Sequence, residues 1–276
     1  MNSSPASAQT SGSKAAPTVG ICLSGGGALG FAHIGALQAL EEHGIHATHL
    51  SGTSMGSIVG LMYSAGYTPA QILEMVKEEK AYKMGTIFKL NLSSRGGLSK
   101  HTKLLAILDK YIPFNNFDNL QIPFYVCCVK LKEGTVHIVH SGNHLKNFVV
   151  ASASIPMVYE YFTIDGVDYV DGGVMNNFPV EPLVEAKCDK IIGINVINFT
   201  PLDTTPKIDD VWPAVFTMMN EAANNSRYSL CDFYVPIKEL NTAELSISSY
   251  KKYEEIYQKG YNSMIQYIHE HPEILN

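Results

Sequence analysis

One serine lies between glycines in the stretch GTSMG, residues 52–56. The residues before it, ATHLSGTS, have the character of a short strand, and MGSIVGLMYSAGY after it has helical spacing. Glycines at 52 and 56 let neighbouring backbone pass where a Cβ would clash. Ser54 therefore fits a nucleophile held on a sharp strand-to-helix turn, with Gly52 and Gly56 as its support. The motif alone is also compatible with a tight structural junction.

A second glycine-rich turn, GGGALG at residues 25–30, follows the apolar strand TVGICLS. It matches the G-x-G-x-x-G pattern of dinucleotide-binding loops, which predicts an acidic residue about 20 positions further on. Ser51, Gly52 and Thr53 occupy that place, so the pattern disfavours a nucleotide. Successive glycines can instead turn several N–H groups into one concavity that suits an oxyanion. Gly26 and Gly27 are the best candidate donors.

A nucleophilic serine needs a base, which in many hydrolases is a histidine. Six of the ten histidines fall on a helix, around a helix-to-strand turn or in a polar terminal segment, and we interpret these six as structural or solvated: His33, His43, His46, His49, His269 and His271. Asp171 ends the short strand VDYVD and is followed by Gly172 and Gly173. Ligands and chemistry collect at strand ends of this kind in α/β proteins. Asp171 is thus the candidate base, with turn capping as its alternative role.

Strands and helices alternate along the chain, which favours an α/β domain with a mostly parallel sheet covered on both faces. Residues 83–101 have little periodicity and are predicted to be a long loop or lid. The last helix, near residues 246–274, carries a tyrosine stripe that suits either core packing or a dimer surface: Tyr250, Tyr253, Tyr257 and Tyr261. We predict a disordered tail over residues 1–18 and one domain over 19–276.

Composition narrows the function classes. The formal net charge is -6 and no dense Lys/Arg run is present, which argues against a nucleic-acid partner. The five cysteines lack zinc-type spacing, so we expect free thiols, no metal and a reducing, cytoplasmic setting. No apolar run reaches the roughly 20 residues that span a bilayer. Export remains open if a targeting segment was removed.

The ordered motifs GGGALG, GTSMG and DGG together resemble the patatin-like phospholipase family of serine acyl hydrolases. The stretches HIGALQALEE, ASASIPMVYEYF and DGGVMNNFPV extend the likeness from about Val19 to Val196. The resemblance implies a three-layer α/β/α sandwich and a metal-free Ser54–Asp171 dyad without histidine. It also implies an oxyanion hole formed by the amides of Gly25, Gly26, Gly27 and Ala28. Asn177 and Pro179 match a bracing segment, and no cofactor is implied.

The implied activity is lipid ester hydrolysis of the phospholipase A or lysophospholipase type, through an acyl-enzyme on Ser54. Acyl transfer by the same dyad and a catalytically silent lipid-binding protein are the alternatives. Leu29 stands where many family members carry Arg or Lys, which puts a preference for anionic headgroups in doubt. Met62, Ile87 and Leu92 are candidates for an acyl channel, with core packing favoured for Met62. We expect any membrane contact to be peripheral.

Overall fold

One mixed sheet forms the centre of the computed structural model, which describes residues 16–80, 101–156, 158–199, 208–240 and 251–276. Its strands are β1 (Val19–Leu23), β2 (His49–Thr53), β3 (Phe124–Lys130), β4 (Thr135–Val139), β5 (Phe162–Ile164), β6 (Val167–Asp171), β7 (Lys190–Asn195) and β8 (Phe233–Pro236). Their order is β5-β6-β3-β2-β1-β7-β8, and β4 also pairs with β3. Strands β3, β2, β1, β7 and β8 are parallel, which confirms the predicted mostly parallel sheet.

The described helices connect and cover these strands. They are α1 (Phe31–Glu42), α2 (Met55–Ser64), α3 (Pro69–Glu78), α4 (Thr102–Tyr111), α5 (Leu145–Ser152), α6 (Glu181–Glu185), α7 (Ile208–Tyr228) and α8 (Tyr253–Glu270). Helix α3 begins with a capping box in which Thr68 and Gln71 satisfy each other's backbone N–H groups. Helix α4 and the short strands β5 and β8 are additions that the sequence patterns did not predict.

Side chains of β1 alternate between two cores on opposite faces of the sheet. Ile21 and Leu23 join the larger core, which includes residues of α1, α2, α3, α4, α5 and α8. Cys22 points to the other face, where it packs with Phe178 and Leu183 beside α6. Each fully buried aliphatic side chain contributes about 1.5–3 kcal/mol to folding. Because both faces are covered by helices, the three-layer α/β/α architecture is confirmed.

Three tyrosines of the predicted stripe pack from α8 against the larger core. Glycines let α1 and α8 approach closely: a Cβ on Gly35 would lie 2.1 Å from the Tyr257 carbonyl oxygen, and one on Gly260 would lie 2.0 Å from that of Ala32. Tyr253, Tyr257 and Tyr261 are partly buried against the larger core. These three tyrosines therefore serve intramolecular packing. Tyr250 lies outside the described residues.

The predicted tail boundary needs a small correction. Thr18, which we assigned to the tail, donates from its N–H and its hydroxyl to the Asp189 carboxylate, both at 2.8 Å. Thr18 is therefore already hydrogen-bonded to the domain and does not belong to the tail. Residues 1–15 and residues 83–100 of the predicted lid, with Ile87 and Leu92, fall outside the described ranges. Within those ranges, no helix combines the length and apolarity needed to cross a bilayer. All five cysteines are free thiols.

Candidate active site

Ser54 occupies the turn between β2 and α2 with a backbone conformation that a serine rarely adopts. Its φ is 53° and its ψ is -124°. A positive φ in a residue with a Cβ is sterically costly, and such strain is concentrated at functional sites. The side chain is 5% exposed. The main chain thus presents this hydroxyl at the start of α2, as a nucleophile elbow does.

Gly52 and Gly56 make the sharp turn sterically feasible. A Cβ on Gly52 would lie 2.6 Å from the Gly56 carbonyl oxygen. A Cβ on Gly56 would lie 2.4 Å from the Leu23 carbonyl oxygen and 2.5 Å from that of Ser24. These neighbours are backbone atoms that cannot rotate away, so α2 can begin this close to β1 and β2 only with glycine at both positions.

Asp171 reaches the turn because two strands share one edge of β3. Thr53 of β2 pairs with Cys127, and Asp171 of β6 pairs with the next residue, Cys128. Strand β4 pairs with Val126–Lys130, on the opposite edge of β3. Since β2 is parallel and β6 antiparallel to β3, their carboxyl ends point toward each other along that edge. Asp171 therefore arrives next to Ser54, although the two are far apart in sequence.

The Asp171 carboxyl is buried in an environment that disfavours its charge. It is 3% exposed, and burial raises its pKa from 3.8 to about 7. Two weaker influences lower the pKa, namely the nearby Ser54 hydroxyl and the Gly173 N–H, which donates to Oδ1 at 2.7 Å. Oδ2 is buried, and the described residues give it no hydrogen bond of standard geometry. This oxygen is therefore free to take up a proton.

The glycines after Asp171 keep the space around its carboxyl open. A Cβ on Gly172 would lie 2.5 Å from the Cys127 carbonyl oxygen. On Gly173 it would lie 2.8 Å from Asn177 Oδ1 and 3.0 Å from Asp171 Oδ1. The Asp171 side chain also caps the turn through the Gly173 N–H. The capping role and the position beside Ser54 are thus present together.

The glycine loop lies against Ser54 and is fixed by Asn177. A Cβ on Gly25 would be 3.1 Å from Ser54 Cβ and 2.2 Å from Asn177 Oδ1. The Gly25 N–H donates to the Asn177 carbonyl at 3.1 Å, and Asn177 Nδ2 donates to the Gly25 carbonyl at 3.2 Å. The bracing role predicted for Asn177 accordingly has a visible basis in these contacts.

These bonds correct one part of the predicted oxyanion hole. The Gly25 N–H is already used by Asn177, so it cannot also point at a substrate oxygen. The described residues supply no acceptor for the N–H groups of Gly26, Gly27 and Ala28, which open a turn of 3-10 helix leading into α1. Gly27 has a φ of 50°, which suits a concave run of amides. Three candidate donors therefore remain.

The side chains of Leu29, which belongs to this loop, and of His33, which belongs to α1, both lie inside the protein. Leu29 is 1% exposed within the larger core, so its side chain is not placed to meet a headgroup. His33 is fully buried, and its Nε2 donates to the Ser24 carbonyl at 2.8 Å. Burial lowers the pKa of His33 to about 4, which keeps the ring neutral. This geometry fits the structural role predicted for His33.

Sequence reasoning missed the residue that holds the Ser54 backbone. The Ser54 N–H donates to Ser152 Oγ at 2.9 Å, and this hydroxyl donates to the Cys127 carbonyl at 2.6 Å. Two residues further on, the Ser154 carbonyl accepts the Asp171 N–H at 3.0 Å. The stretch ASAS contributes to the family resemblance, but neither periodicity nor composition indicates which of its groups contacts the elbow.

A small apolar groove, with a cavity volume of about 60 Å³, lies beside the elbow. This volume is below the roughly 300–1,000 Å³ that is usual for small-molecule sites, so a bound ligand would also lie in the open mouth of the groove. Met55, the residue after Ser54, lines it together with side chains of α1, α2, α3 and α4: Phe31, Ile34, Ile58, Val59, Met62, Ile72, Met75, Val76, Glu79, Leu104 and Ile107. Met62 belongs both to the core, as expected, and to the wall of this groove.

The fold and the site together define a class of three-layer α/β/α proteins with a serine elbow, a buried aspartate and an amide-rich glycine loop. The model of the family described as patatin-like phospholipase matches residues 21–184, more than half of the chain. The protein belongs to the patatin-like phospholipase family.

Curated relatives share this region at moderate identity. An uncharacterized NTE family protein of Mycobacterium bovis is 31% identical over 195 residues, covering 70% of this chain and 52% of the relative. Lysophospholipase NTE1 of Eremothecium gossypii is 28% identical over 200 residues, covering 70% of this chain and 13% of that protein. The chain thus spans about half of the mycobacterial relative and a small part of the fungal one.

A solved structure has the same fold. VipD from Legionella pneumophila superposes with a TM-score of 0.52 at 14% sequence identity, covering 92% of this chain and 67% of that one. The likeness concerns the fold alone, and it agrees with the three-layer architecture.

Proposed function

We propose that the protein is a lipid acyl hydrolase of the phospholipase A or lysophospholipase type. The observation that carries the proposal is the convergence of a strained serine and a buried aspartate with a raised pKa. Family membership and the printed name of the Eremothecium gossypii relative support lipid ester hydrolysis. A silent lipid-binding protein would gain nothing from backbone strain at Ser54 or from a buried carboxylate oxygen that lacks a hydrogen-bond partner among the described residues.

In the first step Ser54 Oγ attacks the ester carbonyl carbon while its proton passes to Asp171 Oδ2. An ordinary carboxylate is a weak base toward an alcohol. The rise in pKa to about 7 makes Asp171 hold a proton about 4 kcal/mol more tightly than an exposed aspartate does. At neutral pH about half of the molecules are still ionised. A base poised near the working pH is the arrangement that favours proton transfer.

The carbonyl oxygen becomes negatively charged and accepts hydrogen bonds from the Gly26, Gly27 and Ala28 amides. The N-terminus of α2 adds a favourable field at Ser54. Breaking the bond to the leaving alcohol returns the proton from Asp171 to that alcohol and leaves an acyl group on Ser54. Water then attacks the acyl-enzyme and gives a proton to Asp171. The fatty acid departs and Ser54 regains its hydrogen, so the site is restored.

The apolar groove is the proposed site for the acyl chain. Met55 joins the groove to the nucleophile directly, because it follows Ser54 in the chain and lines the cavity wall. A chain lying there would remove its methylene groups from water at about 0.8 kcal/mol each. A lysophospholipid carries one acyl chain, so it needs only one such groove.

Entry from a lipid aggregate is proposed to occur beside Val174 and Met175. They follow Asp171 closely in the chain and are 47% and 39% exposed, so they place two adjacent apolar side chains at the surface next to the site. They would contact the lipid surface peripherally while the ester reaches Ser54.

The test is incubation with lysophosphatidylcholine carrying a radiolabelled acyl chain. Free labelled fatty acid is the expected product, and Ser54→Ala should abolish it. A labelled acyl group on an added alcohol or thiol acceptor would show that transfer is the reaction. No product from a well-folded protein that also resists a fluorophosphonate probe would support the silent lipid-binding alternative and overturn the proposal.

A further inference from the structure

Ser152 connects three separate elements at the candidate site. It is the last residue of α5 and is fully buried. Its hydroxyl accepts the Ser54 N–H and donates to the Cys127 carbonyl of β3. One hydroxyl therefore uses its donor and an acceptor lone pair at once, and both partners are backbone groups that cannot move independently of the sheet.

The Ser54 N–H has no other acceptor among the described residues. It precedes α2, so it lies before the first intrahelical bonds and needs an external partner. The bond to Ser152 opposes relaxation of Ser54 out of its positive-φ conformation. Strained residues persist only where surrounding contacts over-determine them. Ser152 supplies such a contact from 98 residues away in sequence.

The same segment also fixes Asp171. The carbonyl of Ser154 accepts the Asp171 N–H at 3.0 Å. Residues 152–154 thus hold the main chain of both members of the proposed pair, one through a side chain and the other through the backbone. The turn at the end of α5 therefore helps to fix the distance between the Ser54 hydroxyl and the Asp171 carboxylate.

We propose that Ser152 is a positioning residue that holds Ser54 at the distance from Asp171 at which its proton is transferred. This inference rests on the proposed function. Ser152 does not line the apolar groove, so it acts through Ser54 and not on the acyl chain. Its loss should therefore affect the rate of the chemical step more than substrate binding.

Ser152→Ala is expected to lower kcat about a hundredfold with little change in KM, since a misplacement of about 1 Å has an effect of this size. The pH profile should change as well. The Ser54 hydroxyl lowers the pKa of Asp171, so moving it away raises that pKa. The acidic limb of kcat against pH should then shift to higher pH. A role limited to packing would lower Tm without moving this limb.

Two further variants sharpen the test. Ser152→Cys keeps a weak donor and acceptor at nearly the same volume, so kcat should fall between those of the parent and Ser152→Ala. Ser64→Ala is the matched control, because Ser64 is another fully buried serine whose hydroxyl has no hydrogen-bond partner within the described ranges. It should keep the parent kcat and acidic limb. Parent-like kcat and an unshifted limb in a folded Ser152→Ala protein would overturn the proposal.

Hydrogen exchange separates this inference from the proposed function. The peptide containing the Ser54 amide should exchange faster in Ser152→Ala than in the parent or in Ser64→Ala, whether or not the protein hydrolyses any ester. If Ser152→Ala exchanges faster but the parent hydrolyses no ester, the Ser152 contact is real and the proposed catalytic role of Ser152 is wrong. Unchanged exchange would show that Ser152 does not hold the elbow.

Discussion

Replacing Asp171 by asparagine should stabilise the protein while abolishing its activity. The folded carboxyl has a pKa of about 7, and its ordinary value is 3.8. Between these values the folded state keeps a proton that the unfolded state has released, so the parent loses stability as pH rises from about 4 to 7. Asparagine has nearly the same shape and cannot ionise, so this loss disappears in the variant.

The size of the effect follows from the pKa difference. A rise from 3.8 to about 7 corresponds to at most about 4 kcal/mol above pH 7 and to almost nothing below pH 4. The difference in unfolding free energy between Asp171→Asn and the parent should therefore grow across that pH range in favour of the variant. Urea denaturation at pH 4.5, 6 and 8 measures it.

Asp168→Asn is the matched control on the same strand. The Asp168 carboxylate accepts a hydrogen bond from Thr163 and pairs with Lys132, so its removal should bring no gain at pH 8. The reasoning would be refuted if the stability difference between Asp171→Asn and the parent were the same at pH 4.5 and pH 8. That result would mean that the buried carboxyl ionises as easily as an exposed one.

Three further variants address the turn, the groove and the entry surface. Gly56→Ala should lower stability by several kcal/mol and abolish ester hydrolysis, because its Cβ would lie 2.4 Å from the Leu23 carbonyl oxygen. Thermal unfolding and an ester hydrolysis assay measure these effects, and a Tm equal to that of the parent would contradict the prediction. Ile58→Phe should fill part of the groove and lower kcat/KM for long-chain esters more than for butyrate esters, and an equal effect on both would place the acyl chain elsewhere. Val174→Glu should weaken hydrolysis of vesicle-bound substrate about tenfold or more while sparing a soluble short-chain ester, and equal rates on vesicles would remove Val174 from the lipid contact.

The sequence predicted the parts of the site that depend on local backbone geometry. A serine between glycines at a strand-to-helix junction indicates a sharp turn, and Ser54 has the positive φ that such a turn requires. The three-layer fold followed from the alternation of elements and from the family resemblance. The sharp turn could be predicted because its signal lies within a few consecutive residues, and the fold because its elements alternate along the whole chain.

Long-range contacts were beyond such patterns. The Gly25 N–H donates to the carbonyl of Asn177, which lies 152 residues further along the chain. The Ser54 N–H donates to Ser152 Oγ, 98 residues away. Strands β5 and β8 have three and four residues, too few to show a clear period of two. The end-to-end approach of β2 and β6 along β3 is a property of sheet topology, and it decides that Asp171 meets Ser54.

The most direct test of the account is the pH dependence of fluorophosphonate labelling, with the modified residue identified by peptide mass spectrometry. The parent should be labelled on Ser54, with a rate that rises through pH 7 as the Asp171 carboxyl ionises. Asp171→Asn should be labelled far more slowly and without that rise. Labelling of another residue, or labelling of Asp171→Asn at the parent's rate and pH dependence, would contradict the claim that Asp171 takes the proton from Ser54.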